Sequence, residues 1–234
     1  MSDQPFRFKK FTIEQDRCAM KVGTDGVLLG AWADVSNVHS ILDIGTGTGL
    51  IALMLAQRCR AQIEAVELDP KAAQQAQNNF QNSPWASRLA CFENDVNQFM
   101  PTGKYDLIVS NPPYFPNNDQ MKSPTRQWAR NTGLLSHESL FHLAKQWLGD
   151  DGTFALIYPH DLKDLFLSLA KENHLHPKRI TFIRGQPNSL LTRILTEFSF
   201  QKTIVEQNEL IVEHRRNDYT QDYIDLTKTF YLKM

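Results

Sequence analysis

The chain is short of cysteine, of charge imbalance and of long apolar runs, and each shortage removes a class of protein. Among its 234 residues are three cysteines, Cys18, Cys59 and Cys91, with no Cys-x-x-Cys pair. That spacing suits neither a zinc ribbon nor a disulfide framework, and it points to a reducing compartment. No stretch of about 18 apolar residues occurs, and the opening MSDQPFRFKK lacks the apolar core of a signal peptide. The expectation is a soluble cytoplasmic protein with no membrane partner. Lys plus Arg total 25 against 26 for Asp plus Glu, so a net charge of −1 gives no global attraction to nucleic acid, and any basic surface must be local. What is present is a globular composition, 41% apolar and 22% charged, which excludes disorder and collagen-like structure. At this length the expectation is one domain over residues 1–234, with residues 1–35 as an N-terminal β/helical extension packed on it.

From residue 40 onward short β-rich runs alternate with segments of helical period. SILDI (40–44), IEAVEL (63–68), LACFEN (89–94), YDLIVS (105–110) and TFALIY (153–158) read as strands, followed by β-rich runs near 178–184, 191–200 and 209–213. Helices are expected over 24–33, over 50–59, from Asp69-Pro70 to near Ser83-Pro84, from Ser136 or Ser139 to about Leu148, over 161–173 and near 221–232. Gly149 is expected to close the fourth of these in a left-handed cap. Such alternation demands parallel strands joined by crossover helices, while the short span from 184 to 191 forces antiparallel pairing at that edge. Residues 115–135 read as a long loop.

Asp43-Ile-Gly45-Thr-Gly47-Thr-Gly49 lies between a strand and a helix, where glycines allow a tight turn and a close approach of a ligand to the backbone. A purely structural turn is the weaker alternative. Glu67 ends the next strand, where a carboxylate can accept hydrogen bonds from both ribose hydroxyls of a nucleotide. A dinucleotide loop is G-x-G-x-x-G and leaves room for a pyrophosphate, whereas here the spacing is G-x-G-x-G behind an acid that suits a cationic cofactor. The D-I-G-T-G-T-G stretch resembles the first motif of class I methyltransferases, which implies S-adenosylmethionine as cofactor, its amino-acid end near Asp43, Gly45, Gly47 and Gly49. The same resemblance implies that Asp95 meets the adenine amino group; as sequence alone, Asn94-Asp95 is equally an ordinary turn.

Asn111-Pro112-Pro113-Tyr114 stops the fourth strand. Two prolines set the backbone there, so the Asn111 amide and the Pro112 carbonyl are held ready to accept hydrogen bonds from an amino group, and Tyr114 offers a ring for a planar substrate. The alternative is a Pro-rich turn. Gly45, Glu67, Asp95 and Asn111 all fall at strand carboxyl ends, the ligand-binding rim of a parallel sheet, so Asn111 is a candidate for the cofactor set as well as the catalytic one. Asn-Pro-Pro-Tyr resembles the motif of methyltransferases acting on adenine, cytosine or glutamine amides. With FRFKKFTIEQ…KVGTDGVLLGAWA before it and DIGTGTGLIALMLAQR and NPPYF in that order, nearly the whole chain is similar to the bacterial tRNA(Val) (adenine-37-N6)-methyltransferase family.

The resemblance implies a seven-stranded, mostly parallel α/β sheet with an antiparallel edge and helices on both faces. It also implies methyl transfer to the N6 of adenosine 37 in a tRNA anticodon loop, with Asn111, Pro112 and Tyr114 as catalytic residues. Phe115, Lys122, Arg126, Trp128 and Arg130 lie in a stretch whose residues 120–133 hold no Asp or Glu, a composition suited to phosphate contact and base stacking. Lys178, Arg179, Arg184 and Arg193 either extend that surface or are a solvated charged face. His137, His142, His174 and His176 lack further ligands at metal spacing, so no metal is expected, and no obligate protein partner is evident. The rival readings are a protein glutamine methyltransferase and a non-catalytic RNA-binding protein.

Overall fold

The computed structural model describes residues 3–113 and 135–234. Its elements run β1 (Phe6–Arg7), β2 (Thr12–Ile13), α1 (Thr24–Trp32), β3 (Ser40–Ile44), α2 (Leu50–Arg58), β4 (Gln62–Glu67), α3 (Pro70–Gln81), β5 (Leu89–Glu93) and β6 (Tyr105–Ser110). After these come α4 (His137–Trp147), β7 (Leu148–Pro159), α5 (Lys163–Glu172), β8 (His176–Arg184), β9 (Leu191–Ser199) and β10 (Glu206–Ile211). The short pair β11 (Glu213–Arg215) and β12 (Asp218–Tyr219) precedes α6 (Gln221–Thr227).

One sheet carries the architecture, in the order β10-β8-β9-β7-β6-β3-β4-β5. β5, β4, β3, β6 and β7 pair parallel, as do β8 and β10, while β9 runs antiparallel between β7 and β8. The sheet therefore has eight strands where seven were expected, and its antiparallel member is interior. The added strand is β10, which pairs parallel along β8 from Glu206↔Arg179 to Ile211↔Arg184 and closes that edge.

Strand alternation sorts the apolar residues into two layers. Leu107 and Val109 face the layer built on α1 and α2, whereas Ile108 faces the layer built on α4 and α5. Seven residues of α2, Leu50 through Ala56, are buried, which its unbroken apolar sequence requires. α3 starts as its sequence indicates: Pro70 occupies the first turn and the Asp69 carboxylate accepts from Lys71 N–H at 2.8 Å and Ala72 N–H at 3.1 Å. Ser136, not Ser139, caps α4 by accepting Ser139 N–H at 3.1 Å.

Gly149 does not form a left-handed cap. The chain turns at Leu148, whose φ of −72° and ψ of 138° are already extended, and β7 begins there because Leu148 pairs with Tyr105. The C-terminal helix stops at Thr227, short of the expected 232, since Tyr231 bridges to Phe8 and Lys9 N–H donates to Phe230 O at 2.8 Å. The two ends of the chain meet in a cluster of Phe6, Phe8 and Tyr231 rings, with Phe8 and Phe11 in the core beside α1 and α2.

Candidate active site

The carboxyl ends of β3, β4, β5 and β6 open on a cavity of about 330 Å³, a size in the range of small-molecule sites. Gly45, Gly47, Glu67, Asp95, Asn111 and Pro112 all line it. Gly45 and Gly47 have φ of +72° and +57°, and a side chain on Gly45 would meet nothing within 4 Å, so the backbone there is bared to a ligand. The loop is tied down by Gly45 N–H donating to Val66 O at 2.9 Å and by Gly47 N–H donating to Glu67 Oε2 at 2.8 Å. Glu67 Oε1 accepts Asp69 N–H at 3.0 Å. Glu67 thus braces the glycine loop while standing on the cavity wall.

Two of the candidate cofactor residues stand behind the wall. Asp43 is fully buried: Oδ2 accepts from Thr46 Oγ1 at 2.6 Å, and Oδ1 has no hydrogen-bond partner among the described residues. Burial pushes its carboxyl up to about 7, against the pull of the Thr46 hydroxyl and the Ala52 amide. Gly49, at φ +82°, starts α2 with its Cα against the Phe80 ring; a side chain would reach Phe80 Cε1 at 2.5 Å. Asp43 and Gly49 shape the loop from beneath and do not border the cavity.

Asp95 does border it. Its Oδ1 accepts Asn97 N–H at 2.9 Å and Asn97 Nδ2–H at 2.8 Å, a local turn, while the residue remains on the cavity wall. Asn111 is half-buried directly after β6. Its position is set by Ser110, 1% exposed, whose hydroxyl donates to Ile44 O at 2.8 Å and fastens the end of β6 to the root of the glycine loop. The Pro113 carbonyl accepts a hydrogen bond from His137, the first residue of α4, whose ring packs on Phe166 at 4.9 Å; burial lowers the affinity of that ring for a second proton. Tyr114, Phe115, Lys122, Arg126, Trp128 and Arg130 lie outside the described residues.

The second basic group does not form an open cationic face. Arg179 is joined to Glu197 by bonds of 2.8 Å and 3.0 Å, Arg184 to Glu209 at 2.9 Å and Arg193 to Asp25 at 2.8 Å. Lys178 Nζ stands 3.9 Å from Asp34. Paired strands bring the carboxylates of Glu197 and Glu209, and α1 with the turn after it brings those of Asp25 and Asp34, which one strand read alone does not reveal. Among the described residues no group of three or more His, Cys, Asp or Glu could hold a metal ion, and no helix is long and apolar enough to cross a membrane.

Sequence reasoning missed one wall altogether. Cys18, Ala19 and Met20 line the cavity from the N-terminal segment. Burial raises the Cys18 thiol, and the negative charges of Glu67 and Asp69 add to the shift against the pull of the Met20 backbone and Lys21. The available signal was Gln75 and Asn79, two amides on the otherwise apolar buried stripe of α3.

A mostly parallel sheet with a bared glycine loop at one strand end and an acid at the next defines a class I methyltransferase. Solved structures agree in fold: a predicted O-methyltransferase from Agrobacterium tumefaciens superposes with a TM-score of 0.69 at 18% identity, over 88% of this chain and 96% of that one. A glycopeptide N-methyltransferase in complex with S-adenosylmethionine superposes with a TM-score of 0.55 at 11% identity, over 78% of this chain and 90% of that one. The family model described as methyltransferase small domain matches residues 23–165. Proteins named tRNA1(Val) (adenine(37)-N6)-methyltransferase from Flavobacterium psychrophilum and Phocaeicola vulgatus are 48% and 47% identical to it, over 98% and 100% of this chain and the whole of each relative. The chain belongs to this methyltransferase family.

Proposed function

We propose that this chain transfers a methyl group from S-adenosylmethionine to the N6 amino group of adenosine 37 in the anticodon loop of a valine tRNA. The observation that carries it is the convergence of Asn111-Pro112-Pro113 with the glycine loop and Glu67 on one cavity, in a chain 48% identical to a relative named for that reaction. The cavity fits the cofactor on its own terms: bare backbone at Gly45, apolar walls from Ile44, Val66 and Val96, and carboxylates at two strand ends. Glu67 would hold the ribose hydroxyls and Asp95 the adenine amine.

When bound, the cofactor supplies an electrophilic methyl on a sulfonium. The Asn111 side-chain oxygen and the Pro112 carbonyl accept the two N–H groups of the adenine amine, drawing the nitrogen lone pair out of conjugation with the ring and toward the methyl. In that displacement N6 would form its bond to the methyl as the methyl–sulfur bond breaks to leave a neutral thioether, and N6 would release one proton to solvent. Tyr114 would stack on the extruded base and recover part of the unstacking cost, and Lys122, Arg126, Trp128 and Arg130, by their chemistry, would serve for contact with the RNA backbone and an unpaired base. Phe115 adds to the base pocket. A cytoplasmic location is the reading that a tRNA substrate and three free cysteines support.

The test is incubation with labelled S-adenosylmethionine and total RNA from a strain lacking the protein, followed by nucleoside analysis and site mapping. Label in N6-methyladenosine at position 37 of valine tRNA is the expected result. Label in protein, or in another nucleoside, would overturn the assignment.

A further inference from the structure

Residues 14–22 bring Cys18, Ala19 and Met20 to the cavity wall, and two amides of α3 bond to the segment. Asn79 is 2% exposed; its Oδ1 accepts Glu14 N–H at 2.9 Å, and its Nδ2 donates to Glu14 O at 2.9 Å and to Thr48 O of the glycine loop at 2.8 Å. One turn earlier Gln75, also 2% exposed, accepts Arg17 N–H at 3.1 Å and donates to Asp16 Oδ1 at 2.6 Å. The segment closes on itself as well: Val22 N–H donates to Gln15 Oε1 at 2.8 Å and Lys21 Nζ to Gln15 O at 2.6 Å. Cys18, Ala19 and Met20 become the outer wall, with Cys18 Sγ 3.6 Å from the place a Gly47 Cβ would take.

Neither Gln75 nor Asn79 lines the cavity. Apolar residues would pack the buried stripe of α3 without leaving polar atoms to satisfy, so the two amides serve the segment they bind. Their spacing of four residues puts both on one helix face. Thr48 O is the link that matters: through Asn79 the N-terminal strap and the glycine loop are fastened to the same side chain.

We propose that Gln75 and Asn79 are positioning residues of the cofactor site, clamping the strap of residues 14–22 over the glycine loop and thereby setting cofactor affinity without touching the ligand. The proposal rests on the S-adenosylmethionine reading above. Gln75→Glu keeps the acceptor for Arg17 N–H, removes the donor to Asp16 and sets two carboxylates against each other. Asp16→Asn in the same chain reverses donor and acceptor and restores the bond. Asp16→Ala, at an exposed position, removes the acceptor and leaves the buried Gln75 Nε2 without that partner.

Calorimetry with S-adenosylmethionine should show Gln75→Glu binding about tenfold more weakly, Asp16→Ala about threefold more weakly, and the double variant within about twofold of the unmodified protein. Amides of residues 14–22 should exchange faster in Gln75→Glu without cofactor, and return to normal in the double variant. Turnover at saturating cofactor should stay within about twofold, a loss confined to binding. Unchanged affinity in both single variants, a double variant that fails to recover, or a parallel fall in turnover at saturation would overturn the clamp while leaving the cofactor reading intact. Failure of the unmodified protein to bind S-adenosylmethionine would overturn both.

Discussion

Among the described residues two acids, Asp43 and Glu197, are completely buried, and their surroundings differ sharply. Glu197, in the interior strand β9, takes two bonds from Arg179 and a third from Asp34 N–H at 2.7 Å, while the Arg179 guanidinium also donates to Trp32 O at 2.8 Å and lies 3.8 Å from the centre of the Trp32 ring. Asp43, at the end of β3, has the Thr46 hydroxyl and the pull of the Ala52 amide but no cation, and its Oδ1 makes no hydrogen bond among the described residues. The first acid is matched by a cation and welds α1 to the sheet. The second is left undercompensated beneath the loop that bares its backbone to the cavity. A polar group is satisfied where the fold needs rigidity, and a deficit is tolerated where a ligand site is built.

That contrast is broken most forcefully at the structural acid. Glu197→Ala leaves Arg179 without its carboxylate and should lower the unfolding free energy by about 3–5 kcal/mol in denaturant titration, while the folded fraction binds S-adenosylmethionine as before. A loss below about 1 kcal/mol would mean that the pair is not fastening α1. At the cavity the pattern should reverse. Asn111→Ala should reduce turnover by about 10²–10³-fold, the usual effect of removing one transition-state hydrogen-bonding group, with the melting temperature and cofactor affinity nearly unchanged. Equal losses in binding and turnover would assign Asn111 a structural role.

The smallest effect sharpens the comparison through pH. The Asp43 carboxyl titrates near 3.8 when free and at about 7 when folded. Between those values the folded state holds a proton that the unfolded state has released, so in the cofactor-free protein this group's stability contribution declines as pH rises through the window and levels off above it. Each unit of separation is worth about 1.4 kcal/mol at most, and relaxation around the site reduces the total to the order of 2 kcal/mol. Asp43→Asn cannot ionise and should flatten that part of the stability–pH curve. An unaltered slope would show that Asp43 stays charged in the folded protein.

Sequence patterning reached the glycine loop, Glu67, Asp95 and Asn111 because parallel strands with crossover helices bring their carboxyl ends to one rim whatever the side-chain detail. It reached the capped start of α3 because Asp69-Pro70 acts within one turn. It overread Gly149, since Leu148 is taken directly into β7 by pairing with Tyr105, a partner 43 residues earlier. It left open whether Arg179, Arg184 and Arg193 face solvent, because their carboxylates come from neighbouring strands and from α1.

The sequence by itself determined the order of strands and helices, the class of loop at the first strand end and the residue types offered to a ligand there, all properties of local pattern and periodicity. Only the tertiary structure decided that Asp43 turns inward to Thr46, that β10 extends the sheet, and that residues 14–22 form a wall of the cavity. The last depends on amide bonds between partners 58, 59 and 65 residues apart. Periodicity carries no information about such contacts, because a buried amide on a helix stripe declares that a partner exists without declaring which stretch of chain will bring it.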